Sequence, residues 1–119
     1  EVPHILHVED DTDLSEMLTA ALQDKARVMT TTTLAQARGV LGEVDFSLVI
    51  IDIGLPDGLG LVLIDEMRKQ GIHTPIVILS ADEAPPSFHD NIVASIVKSR
   101  TSEKKIVEAI LSYLPQKED

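Results

Sequence analysis

The chain has no cysteine and no tryptophan, and only one tyrosine and two phenylalanines in 119 residues. Without cysteine, disulfides and thiolate metal sites are excluded. With aromatics at 3%, the core must be built from Val, Ile, Leu and Ala, and a hydrophobic content of 44% is enough for one. Positive charge is also scarce: 10 Lys and Arg stand against 20 Asp and Glu, a formal net charge of −10. A free-standing nucleic-acid binder normally carries a basic face; none is evident here, and a phosphate backbone would be repelled. No apolar run approaches the ~20 residues that a membrane span requires. No basic segment followed by an apolar stretch opens the chain, so a signal peptide is not expected. Repeats, low-complexity segments and internal linkers are absent, and the length suits one domain.

What is present is an alternation of short apolar runs with helical patterns. Ile5-Leu6-His7-Val8 reads as a first strand. Leu14, Met17, Leu18, Ala21 and Leu22 then follow the spacing of an amphipathic helix, with Asp13 and Glu16 as its capping pair. Ala26 to Thr30 is a weaker strand, and Thr33-Leu34-Ala35-Gln36 is a capping box opening a second helix that Gly42 ends. Leu48-Val49-Ile50-Ile51 is an unbroken apolar run, the mark of a strand buried on both faces. A Gly/Pro-rich stretch follows from Gly54 to Gly58, then a third helix to about Gln70, with Gly71 as its stop. Ile76 to Leu79 and Ile92 to Val97 are two more strands. Ile106, Ala109, Ile110, Tyr113 and Leu114 form the stripe of a final helix. Between Ala84 and Asn91 the prolines Pro85 and Pro86 break any period, so a fourth helix there should be short or irregular.

Alternating strands and helices imply right-handed βαβ units and a parallel sheet covered on both faces. Five strands in this order suit an α/β, flavodoxin-like, doubly wound sheet of strand order 2-1-3-4-5. In such sheets ligands bind beyond the carboxyl ends of the strands. Here those ends carry Glu9-Asp10-Asp11 on the first strand, Asp52 on the third, Ser80-Ala81 on the fourth and Lys98 on the fifth. Singly, each reads as a solvated loop, a turn cap or a surface charge. Jointly, they bring carboxylates, a hydroxyl and an ammonium to one edge of one sheet. Two like charges ~4 Å apart repel by ~4 kcal/mol at an effective dielectric near 20, so Glu9, Asp10 and Asp52 together call for a cation. Carboxylates are hard ligands suited to Mg²⁺, and a carboxylate can itself act as a nucleophile toward phosphorus.

The stretches His7-Val8-Glu9-Asp10-Asp11, Val49 to Gly58, Val77-Ile78-Leu79-Ser80-Ala81 and Ile96-Val97-Lys98 resemble, in order, the motifs of the receiver domains of two-component signalling. The resemblance spans essentially the whole chain. It implies a phosphoryl-accepting domain with Asp52 as acceptor. Metal ligands would be Glu9, Asp10, Asp52 and the carbonyl of Gly54, with Asp10 touching the metal directly and Glu9 through water. Ser80, Ala81 and Lys98 would bind the phosphoryl group. The implied cofactor is Mg²⁺, for which Mn²⁺ can stand in. The implied partner is a histidine kinase or a histidine phosphotransfer domain, with no nucleic acid or membrane contacted by this domain itself. Such a domain catalyses its own phosphorylation and dephosphorylation but is not a stand-alone enzyme, and it works in the cytoplasm or on the cytoplasmic side of a membrane-bound kinase.

Three departures from the family pattern stand out. Ser99 replaces the usual proline after the lysine, Ser95 replaces the aromatic switch residue, and the interval from Ser80 to Lys98 is short by about one helical turn. Lys98-Ser99-Arg100 is similar to receivers carried inside hybrid sensor kinases. Together with an opening Glu-Val-Pro lacking Met, it leads us to expect residues 1–119 to be a single receiver domain cut from a larger signalling protein. Competing readings fare worse. A phosphatase of the haloacid dehalogenase type wants a second Asp two residues after the first, where Gly54 stands. A flavin module would need a phosphate-cradling loop where three carboxylates follow the first strand. A pseudo-receiver would have no use for an intact Asp52, Asp10, Ser80 and Lys98. His4 and His7, an odd number apart on one strand, face opposite ways and cannot share a metal.

Overall fold

The aliphatic runs become the strands of one parallel sheet in a computed structural model, which describes residues 2–81 and 91–114. In chain order the elements are β1 His4–Val8, α1 Thr12–Leu22, β2 Arg27–Thr31, α2 Leu34–Leu41 and β3 Leu48–Asp52. Two short strands follow, β4 Gly54–Leu55 and β5 Gly58–Leu59, and then α3 Gly60–Lys69, β6 Ile76–Ser80 and β7 Ile92–Val97. A 3₁₀ turn over Lys98–Arg100 leads into α4 Glu103–Ser112. The long strands lie in the order β2-β1-β3-β6-β7, all parallel. Counted among themselves, they take the expected 2-1-3-4-5 order of a doubly wound sheet. β4 and β5 form a separate antiparallel pair within the Gly/Pro-rich stretch, which periodicity alone did not reveal. The fourth helix expected after Ala84 falls on residues 82–90, outside the described residues.

The sheet divides the core into two layers. On one face Leu6, Val8, Val49, Ile51, Ile76 and Ile78 pack with Leu34 and Ala37 of α2 and with Leu63, Ile64 and Met67 of α3. On the other, Ile5, Leu48, Ile50, Val77 and Leu79 meet Leu18 and Leu22 of α1 and Ile106 and Ile110 of α4. β3 and β6 are buried at every position, as central parallel strands must be. Each fully buried aliphatic side chain contributes roughly 1.5–3 kcal/mol over an exposed one.

Helix ends depart from the sequence reading in detail. α1 is capped by Asp11, whose carboxylate accepts from the Leu14 N–H at 3.2 Å; Asp13 lies in the first turn, where its charge suits the helix dipole. Thr33 caps α2 as expected, but Gln36 reaches back to the N–H and hydroxyl of Thr32 rather than to Thr33. Tyr113, expected on the apolar stripe of the last helix, is 38% exposed, because α4 ends at Ser112 and the chain turns there. Gly71, just past α3, takes the left-handed φ of 76° that favours glycine.

Gly60 matters most for placement. It opens α3 directly over the end of β3, and a Cβ added there would lie 2.5 Å from the Asp52 carbonyl oxygen and 2.6 Å from Ile51 Cγ2. Backbone is one of the two obstacles, so the clash cannot be relieved by turning a side chain. Alanine is the better helix former by about 1 kcal/mol, yet overpacking commonly costs about 1–3 kcal/mol. We expect Gly60→Ala to lower the denaturation midpoint despite its helix propensity. A midpoint equal to or above wild type would show that α3 can back away from β3 freely.

Candidate functional site

The carboxyl edge of the sheet gathers the residues that the sequence placed there. Glu9 and Asp10 follow the last residue of β1, Asp52 ends β3 and Ser80 ends β6, while Lys98 begins the turn after β7. One carboxylate oxygen each from Glu9, Asp10 and Asp52 lie within 4.8 Å of one another. They differ in exposure: Glu9 is fully buried, Asp52 is 5% exposed, and Asp10 is open to solvent. Strand parity sets Glu9 on the side of Ile5 and His7, but both faces of β1 are buried, so Asp10 is exposed because the chain has left the sheet there.

Lys98 binds the two buried carboxylates together. Its Nζ donates to Asp52 Oδ2 at 3.0 Å and to Glu9 Oε1 and Oε2 at 3.3 and 3.4 Å. Asp52 Oδ1 accepts from the Gly54 N–H at 3.1 Å, and Glu9 Oε2 from the Asp11 N–H at 3.3 Å. Gly54 thus sits beside the acceptor candidate, its amide engaged there. Ser80 is 5% exposed and in register with Val97, next to Lys98. Ala81 is exposed, and its carbonyl accepts from the Ser99 hydroxyl at 3.1 Å. Ser99, one of the departures from the family pattern, therefore ties the turn carrying Lys98 to the end of β6. Ser95 lies apart from this group, exposed on β7 and in register with Ile78.

Four carriers of charge in this space, three carboxylates and one ammonium, leave a formal surplus of two negatives. The buried pair divides the strain unequally. Burial raises the Glu9 carboxyl, but the His7 side chain, Asp52, the Lys98 charge and the Asp11 N–H outweigh it and hold it at about 2. Burial and then the Glu9 carboxylate push Asp52 up to about 6, against the pull of Lys98. Of the buried pair, Glu9 is the stronger acid. Burial alone would lower Lys98, yet Asp52 and Glu9 together raise it, so it stays an ammonium. The donors are all oxygen, the surplus charge is negative and one ligand is open to solvent: the set fits a hard divalent cation such as Mg²⁺.

Three contributors escaped the sequence reading. His7 is fully buried, with Nε2 3.8 Å from Glu9 Oε1. Its strand parity with Glu9 was visible, but it was weighed only as a metal partner of His4. Asp57 accepts from the N–H groups of Leu34 and Ala35, at 2.8 and 3.2 Å, fastening the stretch after Asp52 to the start of α2. Gly60 seats β3 as described above. Neither of the last two carries a local sequence signal, because both depend on which helix end meets which loop.

Residues 5–110 match the family described as response regulator receiver domain. The Transcriptional regulatory protein PmrA of Pectobacterium parmentieri is 40% identical over 78 residues, covering 65% of this chain and 35% of that protein. The chain spans about a third of the length of the curated relatives it matches first. Among solved structures, the non-phosphorylated HemR receiver domain from Leptospira biflexa is 30% identical with a TM-score of 0.85, covering 98% of each chain. The response regulator TrrA from Thermotoga maritima, solved in complex with Mg²⁺ and BeF, is 26% identical with a TM-score of 0.80, covering 95% of this chain and 100% of that one.

The raised Asp52 carboxyl has a consequence for stability. In the unfolded chain its pKa is near 3.8, and in the folded chain about 6. The folded state therefore binds the proton more tightly, and stability falls as pH rises through 6, the penalty being absent below about 4. Two units correspond to a ceiling of roughly 3 kcal/mol. In chelator, Asp52→Asn should melt several degrees above wild type at pH 8, with the gap closing between pH 6 and 4. A gap that is absent at pH 8, or that widens on acidification, would contradict this charge arrangement.

Proposed function

The chain belongs to the response regulator receiver domain family, and from that premise we propose that Asp52 is its phosphoryl acceptor, charged by a phosphohistidine on a partner kinase or phosphotransfer domain. The supporting observation is the seat of Asp52: nearly buried, at the end of β3, with one oxygen on the Gly54 N–H and the other on Lys98. An oxygen of Asp52 forms the new bond to phosphorus as the P–N bond of the donor breaks, and the electron pair leaves on the imidazole nitrogen. Lys98 follows the charge from the carboxylate onto the phosphoryl oxygens, and Ser80 and Ala81, at the end of β6, hold the group from the other side. Hydrolysis or onward relay then returns Asp52 to its free form. Mg²⁺ bound at Glu9, Asp10, Asp52 and the Gly54 carbonyl would supply positive charge to the transferring oxygens. We read the chain as the receiver portion of a longer signalling protein, acting in the cytoplasm and serving as a substrate and switch rather than a free-standing enzyme.

The departures from the family pattern bear on output. Ser95 has no ring to swing inward, and it sits exposed on β7. A ligand shifts a two-state element only by its differential interaction with the two states, and here that packing contribution is small. The domain is therefore a phosphoryl relay or a locally read surface rather than a dimerisation switch.

Intact mass after incubation with acetyl phosphate and Mg²⁺ should show one phosphoryl adduct, abolished by EDTA and absent in Asp52→Asn. An adduct persisting in Asp52→Asn would remove Asp52 from the role. Mg²⁺ should also raise the melting temperature of wild type by linkage, and that of Asp10→Ala much less. Equal responses would rule out Asp10 as a ligand. Amide shifts on adding beryllofluoride should concentrate near Ser80 and the Asp52–Asp57 stretch. Large shifts through β7 and α4, with dimers in sedimentation, would overturn the local reading.

A further inference from the structure

His7 is a polar side chain with no evident reason to be where it is. It is fully buried, and neither ring nitrogen has a hydrogen-bond partner among the described residues. A valine or leucine there would avoid the cost of an unsatisfied buried imidazole. Beside it stands Glu9, whose Oε1 lies 3.8 Å from Nε2, beyond hydrogen-bond range but within a small side-chain movement of it. Glu9 is itself fully buried and draws two of its bonds from Lys98. Lys98 is shared, since the same Nζ serves Asp52. On the reading given above, a phosphoryl group on Asp52 draws Lys98 onto itself. Among the described residues, the only protein donor then left to Glu9 would be the Asp11 N–H, beside whatever share of the metal it holds.

We propose that His7 is the relief donor for Glu9: as Lys98 turns to the phosphoryl group, His7 Nε2–H closes on Glu9 Oε1 and holds that buried carboxylate in place. The donor is the neutral Nε2–H tautomer, and no proton changes hands. His7 is thus a positioning residue that acts through Glu9, its contact long at 3.8 Å in the resting state and closed to hydrogen-bond distance in the phosphoryl-bound one. This explains why neither ring nitrogen makes a hydrogen bond among the described residues.

The inference rests on the phosphoryl-accepting reading but is tested apart from it. In metal-free Lys98→Met, Glu9 has already lost its lysine, so the His7 Nε2–H proton resonance should move downfield with no ligand added. The same movement should appear in wild type on adding Mg²⁺ and beryllofluoride. An Nε2–H signal unchanged in both cases overturns the proposal. Binding supplies the second arm. His7→Leu should fold at least as stably as wild type and bind Mg²⁺ alone with similar affinity. It should lose roughly tenfold or more in beryllofluoride affinity, the worth of one hydrogen bond to a charged group. His7→Gln, which places an amide N–H near the same point, should recover most of that loss. Equal beryllofluoride affinity in His7→Leu and wild type, or no recovery in His7→Gln, would refute a donor role. Should wild type itself fail to bind beryllofluoride, the phosphoryl-accepting reading falls, while the Lys98→Met spectrum still decides whether His7 backs Glu9.

Discussion

The contact of Lys98 with both Glu9 and Asp52 is the interaction on which the rest of this molecule turns. Two carboxylates driven into the end of an aliphatic sheet would otherwise repel by several kcal/mol, with no solvent to screen the inner one. A parallel sheet makes such crowding possible, because every strand delivers its carboxyl end to the same edge. β3 and β6 are buried along their whole length, so their last residues arrive at that edge with little freedom to retreat. The core thereby spends part of its stability holding like charges together. Removing one partner of a buried ion pair is destabilising because it strands the other; here the lysine strands two if it leaves.

The surrounding contacts keep the three loops at this edge in register. Asp57 fixes the stretch after Asp52 to the first amides of α2, and Gly60 lets α3 start against the Asp52 carbonyl. The Ser99 hydroxyl joins the Lys98 turn to the Ala81 carbonyl, and the Thr101 hydroxyl closes the same turn on Val97 at 2.9 Å. None of these bonds touches the Asp52 carboxylate. Each narrows where it, or Lys98, can go, and a site that works by charge placement depends on such narrowing.

The sheet was legible in the sequence because an all-aliphatic run of four or five residues has few other places to go. Leu48 to Ile51 and Ile76 to Leu79 announce central strands, and the polar residue that ends each run announces the site. Helix ends were less legible. Asp11 and Asp13 are equally good caps in composition, and only the exit direction of β1 decides between them. The β4–β5 pair has two residues per strand, too few for any period to register. Asp57, Gly60 and Ser99 contribute through partners 18 or more residues distant or through backbone approach, and nothing local in the chain encodes that.

Glu9 and Asp10 are adjacent in sequence but opposite in circumstance. The first is buried at the end of β1, and the second lies beyond it at the surface. An exposed carboxylate can exchange partners with water at little cost, so Asp10 is free to gain or lose a ligand. A fully buried one cannot, and its charge survives only where fixed donors meet it. Glu9 therefore acts as a constant of the site: after burial itself, its charge is what raises Asp52, and with Asp52 it retains the Lys98 ammonium. Burial, and then a neighbour that holds its charge, lift the Asp52 carboxyl to about 6, near enough to neutrality that the loss or gain of one nearby cation changes its protonation.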